Sequence, residues 1–228
     1  MKRILFIMLV LGVVKGASGQ SNYGQFQKRV RLGFNLDPSI SIMNPQEAGA
    51  SRTGAKPGLG FGLIADFSLN EQGNYAIASG FNVVLGGSKI KYDQGKGLSD
   101  YKAQPAEYNF KFTHIQVPLA LKLKTNTNAD GMAFWGQFGT YFAFPVSARA
   151  NVTTPTQTFE KVNILPDVNR INIGMLIGAG IDYELSESLT GSVGLIYQNG
   201  FIDATRNAKW NDGRVNINSF ALRLGVYF

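Results

Sequence analysis

RVNINSFALRLGVYF, residues 214–228, is the stretch whose reading decides the fold. From Asn216 its even positions are Asn216, Asn218, Phe220, Leu222, Leu224, Val226 and Phe228, and its odd positions are Ile217, Ser219, Ala221, Arg223, Gly225 and Tyr227. Large apolar groups dominate one face and small or polar groups the other, which is the two-residue period of a strand. A strand this apolar needs a cover. No segment of the chain reads as an amphipathic helix that could supply one, so lipid is the simpler partner.

The same period recurs upstream. Leu59, Phe61, Leu63, Ala65, Phe67 and Leu69 alternate with Gly60, Gly62, Ile64, Asp66 and Ser68, and after a tight turn at Asn70–Asn74 the chain resumes with Tyr75, Ile77, Ser79, Phe81, Val83 and Leu85. Further strands are expected over about 29–43, around His114–Lys124, 133–146, 170–184 and 189–198. Including the last, that makes eight. Loops are expected near 44–56, 91–109, 147–169 and 199–213, alternating with tight turns, the asymmetry of outer-membrane barrels whose turns face the periplasm. The expected fold is all-β, an eight-stranded antiparallel transmembrane up-and-down β-barrel.

Alternation alone does not say which face points inward, since a soluble lipocalin-like barrel shares the period. Side-chain size decides: an eight-stranded interior holds its own Gly, Ser, Asn and Ala, and rows of Leu, Ile and Phe would overfill it. On this orientation Arg31, Asp66, Lys122, Asp182 and Arg223 all face the lumen, where charges need partners. They are expected to form a salt-bridged plug, the alternative being that each snorkels separately to water. Phe67, Tyr75, Phe134, Tyr183 and Phe228 would make the turn-side aromatic girdle, and Phe112, Phe144, Tyr197 and Phe201 the outer one, with no aromatic core between them.

The N-terminus gives an address. Lys2 and Arg3, the apolar run 4–14 and Ala17-Ser18-Gly19 read as a signal peptide over 1–19, leaving 20–228 as the barrel domain. That run falls short of the roughly 20 residues of a spanning helix. Cleavage takes three of the 22 basic residues, leaving 19 against 15 acidic ones and a net charge of +4, too mild and scattered to argue for nucleic acid. The absence of cysteine removes disulfides and thiolate chemistry.

Chemistry-bearing motifs are few. One histidine, His114, and no cysteine cannot build a zinc or iron site, so no metal or cofactor is expected. His114 with a serine on the wall would suit a lipid A-modifying enzyme, yet no Ser, His and acid grouping is visible and catalysis is not expected. The glycines of Gly174-Met175-Leu176-Ile177-Gly178-Ala179-Gly180 have the spacing of a nucleotide loop, but the strand alternation runs straight through them.

Three stretches carry a family likeness: Ile115-Gln116-Val117-Pro118-Leu119-Ala120-Leu121-Lys122, Ile173 to Ile181 with its G-x-x-x-G-A-G run, and Tyr197-Gln198-Asn199-Gly200-Phe201-Ile202-Asp203. With the closing Gly225-Val226-Tyr227-Phe228 they resemble the PorT-like outer-membrane β-barrel family of Bacteroidota, over nearly the whole mature chain. The resemblance implies a non-enzymatic accessory or anchor of an outer-membrane assembly, such as type IX secretion, and transfers no catalytic residues. Expected partners are outer-membrane lipid and lipopolysaccharide, secretion-system proteins, and the barrel-assembly machinery, whose recognition signal the terminal Phe228 resembles. A small pore or a surface ligand-binding barrel is the competing expectation.

Overall fold

The computed structural model describes residues 30–212 and 214–228, so the signal peptide read over 1–19 lies outside the described residues. Strands β1 (Val30–Pro45), β2 (Ala50–Ser68), β3 (Tyr75–Tyr92), β4 (Ala106–Lys124), β5 (Met132–Thr153), β7 (Asn172–Ser186), β8 (Leu189–Gly200) and β9 (Val215–Tyr227) are the staves. Each pairs antiparallel with the next, and β9 returns to β1 to close the ring. A short β6 (Thr158–Asn163) pairs only with β5, as a flap beyond the wall. The result is a closed eight-stranded antiparallel barrel.

The faces sort as side-chain size requires. Outward residues are bare, with Phe34 58% and Leu195 69% exposed, and form a continuous apolar belt suited to acyl chains. Inward positions carry Gly, Ala, Ser and Asn along with the lumen charges. The glycines of β7 serve inward packing: a Cβ at Gly180 or at its cross-strand partner Gly194 would collide with the Trp135 ring.

Phase breaks explain where the wall outruns the alternation. In β5 the register to β4 shifts between Ser147 and Pro145, so Phe144 and Val146 face outward while Ala148, Ala150 and Val152 beyond the shift face inward. The strand thus continues to Thr153 where a loop from 147 was expected. In β2 the register to β3 shifts at Thr53 and again across Lys56–Gly58, and the strand begins at Ala50. The first connection on this side, 46–49, is therefore short, and the expected strict alternation of long and short connections fails there. The other three, 93–105, 154–171 and 201–214, are long.

Phe112 corrects the girdle. It lies on the even, inward phase of β4 with His114 and Gln116, is 5% exposed, and stacks on Phe110 at 5.7 Å. It belongs to an apolar core at the loop end of the barrel, where none was expected. One further feature lies at the seam: the β1–β9 ladder runs to Leu36↔Leu224, lapses at Asp37 and Pro38, and resumes at Ser39↔Ala221 in the same register. Proline has no N–H to offer a ladder.

Candidate functional site

The lumen is built in three levels. At the turn end, Arg31, Asp66, Lys122, Asp182 and Arg223 all point inward and are ion-paired. Lys122 Nζ reaches Asp66 at 2.8 Å and donates to the Tyr227 hydroxyl at 3.0 Å, with the two charged side chains only 4% and 5% exposed. Asp182 is shared by Arg31 and Lys124, each at 3.2 Å. Arg223 grips Asp37 through two nitrogens, at 2.8 and 3.3 Å, and Asn35 donates to the same carboxylate at 2.9 Å. Rings close the remaining gaps: Arg31 lies 4.3 Å over Tyr227, and Lys122 5.1 Å over Trp135.

Four members of this layer were not singled out from the sequence: Asp37, Lys124, Trp135 and Tyr227. The two-residue period was the available signal. It puts Asp37 on the face of Arg31, Lys124 on that of Lys122, and Tyr227 on that of Arg223.

Above this layer sits a chamber of about 40 Å³ lined by Ser41, His114, Gln116, Tyr141, Asn172 and Ser219 among others, room for roughly three waters. His114 faces it, with its ring 5.6 Å from Phe112. No hydrogen bond joins His114 to Ser41 or Ser219, and among the described residues no group of three or more His, Asp or Glu could hold a metal ion.

The third level caps the loop end. A four-residue helix α1 (Asn207–Trp210), ended by Asn211 in the left-handed region, delivers Trp210 into the mouth. The indole is fully buried, packs on Tyr92, Tyr108 and Phe110 at 5.8, 5.1 and 5.5 Å, and donates through Nε1 to the Asp167 carbonyl at 2.9 Å. A Cβ on Gly97, whose φ is 89°, would stand 2.8 Å from the Tyr108 hydroxyl, so glycine is what lets that loop close over the ring. Met43, Ile90, Leu98, Ile164, Val168 and Val215 complete the core.

Asp212 holds this cap from within. Its carboxylate accepts the Tyr92 hydroxyl at 2.8 Å and the Thr205 hydroxyl at 3.1 Å, tying the last loop to β3. Burial pushes the Asp212 carboxyl up to about 6, with Asp203 adding to the rise and the two hydroxyls opposing it. An acid whose value is higher folded than unfolded stabilises most when protonated. The contribution is therefore full below about pH 4, declines as pH rises through the window from about 4 to about 6, and is lost above it. We expect the urea midpoint for exposing Trp210 to fall across that window and Asp212→Asn to flatten the fall; a midpoint equally pH-dependent in the variant would refute this origin.

Residues 18–206 match the family model described as outer membrane protein β-barrel domain. No curated protein matches the sequence at a significant level. Among solved structures, Neisserial surface protein A is similar at 15% identity and a TM-score of 0.43, covering 85% of this chain and 95% of that one. The attachment invasion locus protein of Yersinia pestis, solved with the heparin analogue sucrose octasulfate, gives 13% and 0.40, over 88% and 99%. The outer membrane protease OmpT from Escherichia coli gives 7% and 0.46, over 93% and 99%.

Proposed function

Because the chain belongs to the outer membrane protein β-barrel domain family and so resides in the outer membrane, we propose that it works there as a non-conducting, non-enzymatic anchor or accessory, acting through its surfaces and not through its lumen. The observation that carries this reading is the double closure of the bore. Ion-paired charges fill the turn end, a packed aromatic core fills the loop end, and the chamber between them has room for only a few waters. Solute traffic would have to dismantle both.

The test is electrical. Purified barrel reconstituted in planar bilayers should give no stable channels at neutral pH; reproducible unitary conductance in the unmodified protein would make it a pore and overturn the reading. A role beside a type IX secretion assembly is the finer form of the proposal. Its support is the likeness of the Ile115–Lys122, Ile173–Ile181 and Tyr197–Asp203 stretches to the PorT-like family. Deleting the gene should then impair export of C-terminally signalled cargo, and normal export in the deletion strain would remove that finer role while leaving the closed barrel intact.

A further inference from the structure

The outward wall of β2–β5, at its loop end, carries a cluster of four cations that no acid pairs with among the described residues. Lys111 stands directly opposite Arg149 across the β4–β5 ladder, a like-charge pairing that costs stability unless something neutral or negative intervenes. Lys89, on the outward phase of β3, is opposite Asn109. Lys56 crosses from β2 to β4, its Nζ donating to Asn109 Oδ1 at 2.7 Å and to the Phe110 carbonyl at 3.1 Å. No ion pair joins any of the four to an acid among the described residues, and Glu107 on the same end of β4 stands instead opposite Lys91 and Thr153.

The placement is built by the two irregularities of the wall. In β2, the register shift to β3 leaves Lys56–Gly58 outside the β2–β3 ladder, which releases the Lys56 side chain to cross β3. It crosses above Gly87, where a Cβ would stand 3.3 Å from the Lys56 Cδ. In β5, the shift near Val146 turns Ser147 and Arg149 outward in place of the apolar phase below. Bulges re-aim side chains in this way. Between the two lies a groove of about 390 Å³ lined by Lys56, Pro57, Leu85, Lys111, Ser147 and Arg149 among others. Directly below it the same wall is bare hydrocarbon: Leu59, Leu85 and Phe144 are all exposed.

We propose that this groove binds the phosphorylated headgroup of an outer-leaflet lipid, with Lys111 and Arg149 as the principal phosphate contacts and the apolar wall beneath as the bed for its acyl chains. Long loops mark this end as extracellular, so the cluster lies at the outer leaflet's headgroup level. Guanidinium and ammonium groups converging on one concavity suit phosphate oxygens, and basic pockets beside spanning segments recognise anionic lipid heads. A phosphate there would relieve the Lys111–Arg149 repulsion. The inference rests on the outer-membrane placement and is independent of whether the lumen conducts.

The experiment titrates purified barrel in zwitterionic micelles with diphosphorylated lipid A, with the same lipid A stripped of phosphate, and with inorganic phosphate. Diphosphorylated lipid A should bind at least tenfold more tightly than the stripped form, and binding should weaken as salt rises. Lys111→Ala/Arg149→Ala should lose at least tenfold, while Arg206→Ala/Lys209→Ala, which removes the same charge elsewhere on the loop end, should not. Should the Lys111/Arg149 variant fail to fold, Lys111→Gln alone and the salt series on the unmodified protein decide the matter. Equal binding of both lipid forms, or no effect of the Lys111 and Arg149 changes in folded protein, overturns the site. Inorganic phosphate binding as tightly as the lipid would make this a free-anion site and overturn the lipid assignment.

Discussion

Asp37→Leu should cost the barrel about 3–5 kcal/mol, because it strands the buried Arg223 guanidinium without its carboxylate. Arginine cannot shed its proton to escape, so the penalty falls in full. Asp66→Leu should cost less. Lys122 can give up a proton, and it keeps the Tyr227 hydroxyl at 3.0 Å as an acceptor. Removing both charges, as Asp37→Leu/Arg223→Met, should restore most of the stability, since a well-packed apolar pair of similar volume does about as well as a buried ion pair. Urea unfolding in micelles, followed by the heat-modifiable shift on gels, reads all three. If the double variant is as unstable as the single, the loss comes from lost packing and not from an orphaned charge.

Trp210→Ala should cost about 3–5 kcal/mol of cap stability, the usual consequence of emptying a large aromatic site. The loss should be local. Trp210 is carried by a loop and touches rings at the strand ends, whereas the ion-paired layer at the other end of the bore shares none of its partners. Limited proteolysis should therefore cleave within 93–105 and 201–214 much faster in the variant while the wall stays protected and retains its heat-modifiable migration. Wholesale loss of the folded gel band would mean that cap and wall form one cooperative unit. Planar bilayers would still show no conductance in Trp210→Ala if the ion pairs alone suffice to close the bore.

The wall was legible in the sequence because two-sided burial imposes its period residue by residue. Phe34, Leu63 and Leu195 had to face lipid once Gly60, Asp66 and Gly194 faced the lumen. Reading failed where the phase breaks. At Val146 and at Lys56–Gly58 an extra residue shifts the parity, so a run that continues as strand resembles a loop. Phe112 was misplaced although its parity with His114 and Gln116 pointed inward, because a lumen expected to hold small and charged groups left no use for an inward aromatic. The cap had no local signature at all. Leu98, Ile164, Val168 and Trp210 are spread over three connections with no common period, and only the three-dimensional closure of the mouth brings them together. Among the charges, the five expected at the turn end all lie in the lumen, and the period also carried Asp37 and Lys124, whose pairing depended on cross-barrel neighbours that spacing does not encode.

The lapse in backbone pairing at Asp37 and Pro38 bears on how the cylinder shuts. At that height first and last strands are fastened by the Asp37 carboxylate and the Arg223 guanidinium, where main-chain amides elsewhere do the work. A last strand aligned one residue out of step with the first would turn Arg223 toward hydrocarbon and leave Asp37 alone in the bore. The ionic clasp therefore ties the register of the seam to a charge balance: only the alignment that sets Arg223 against Asp37 leaves neither charge stranded.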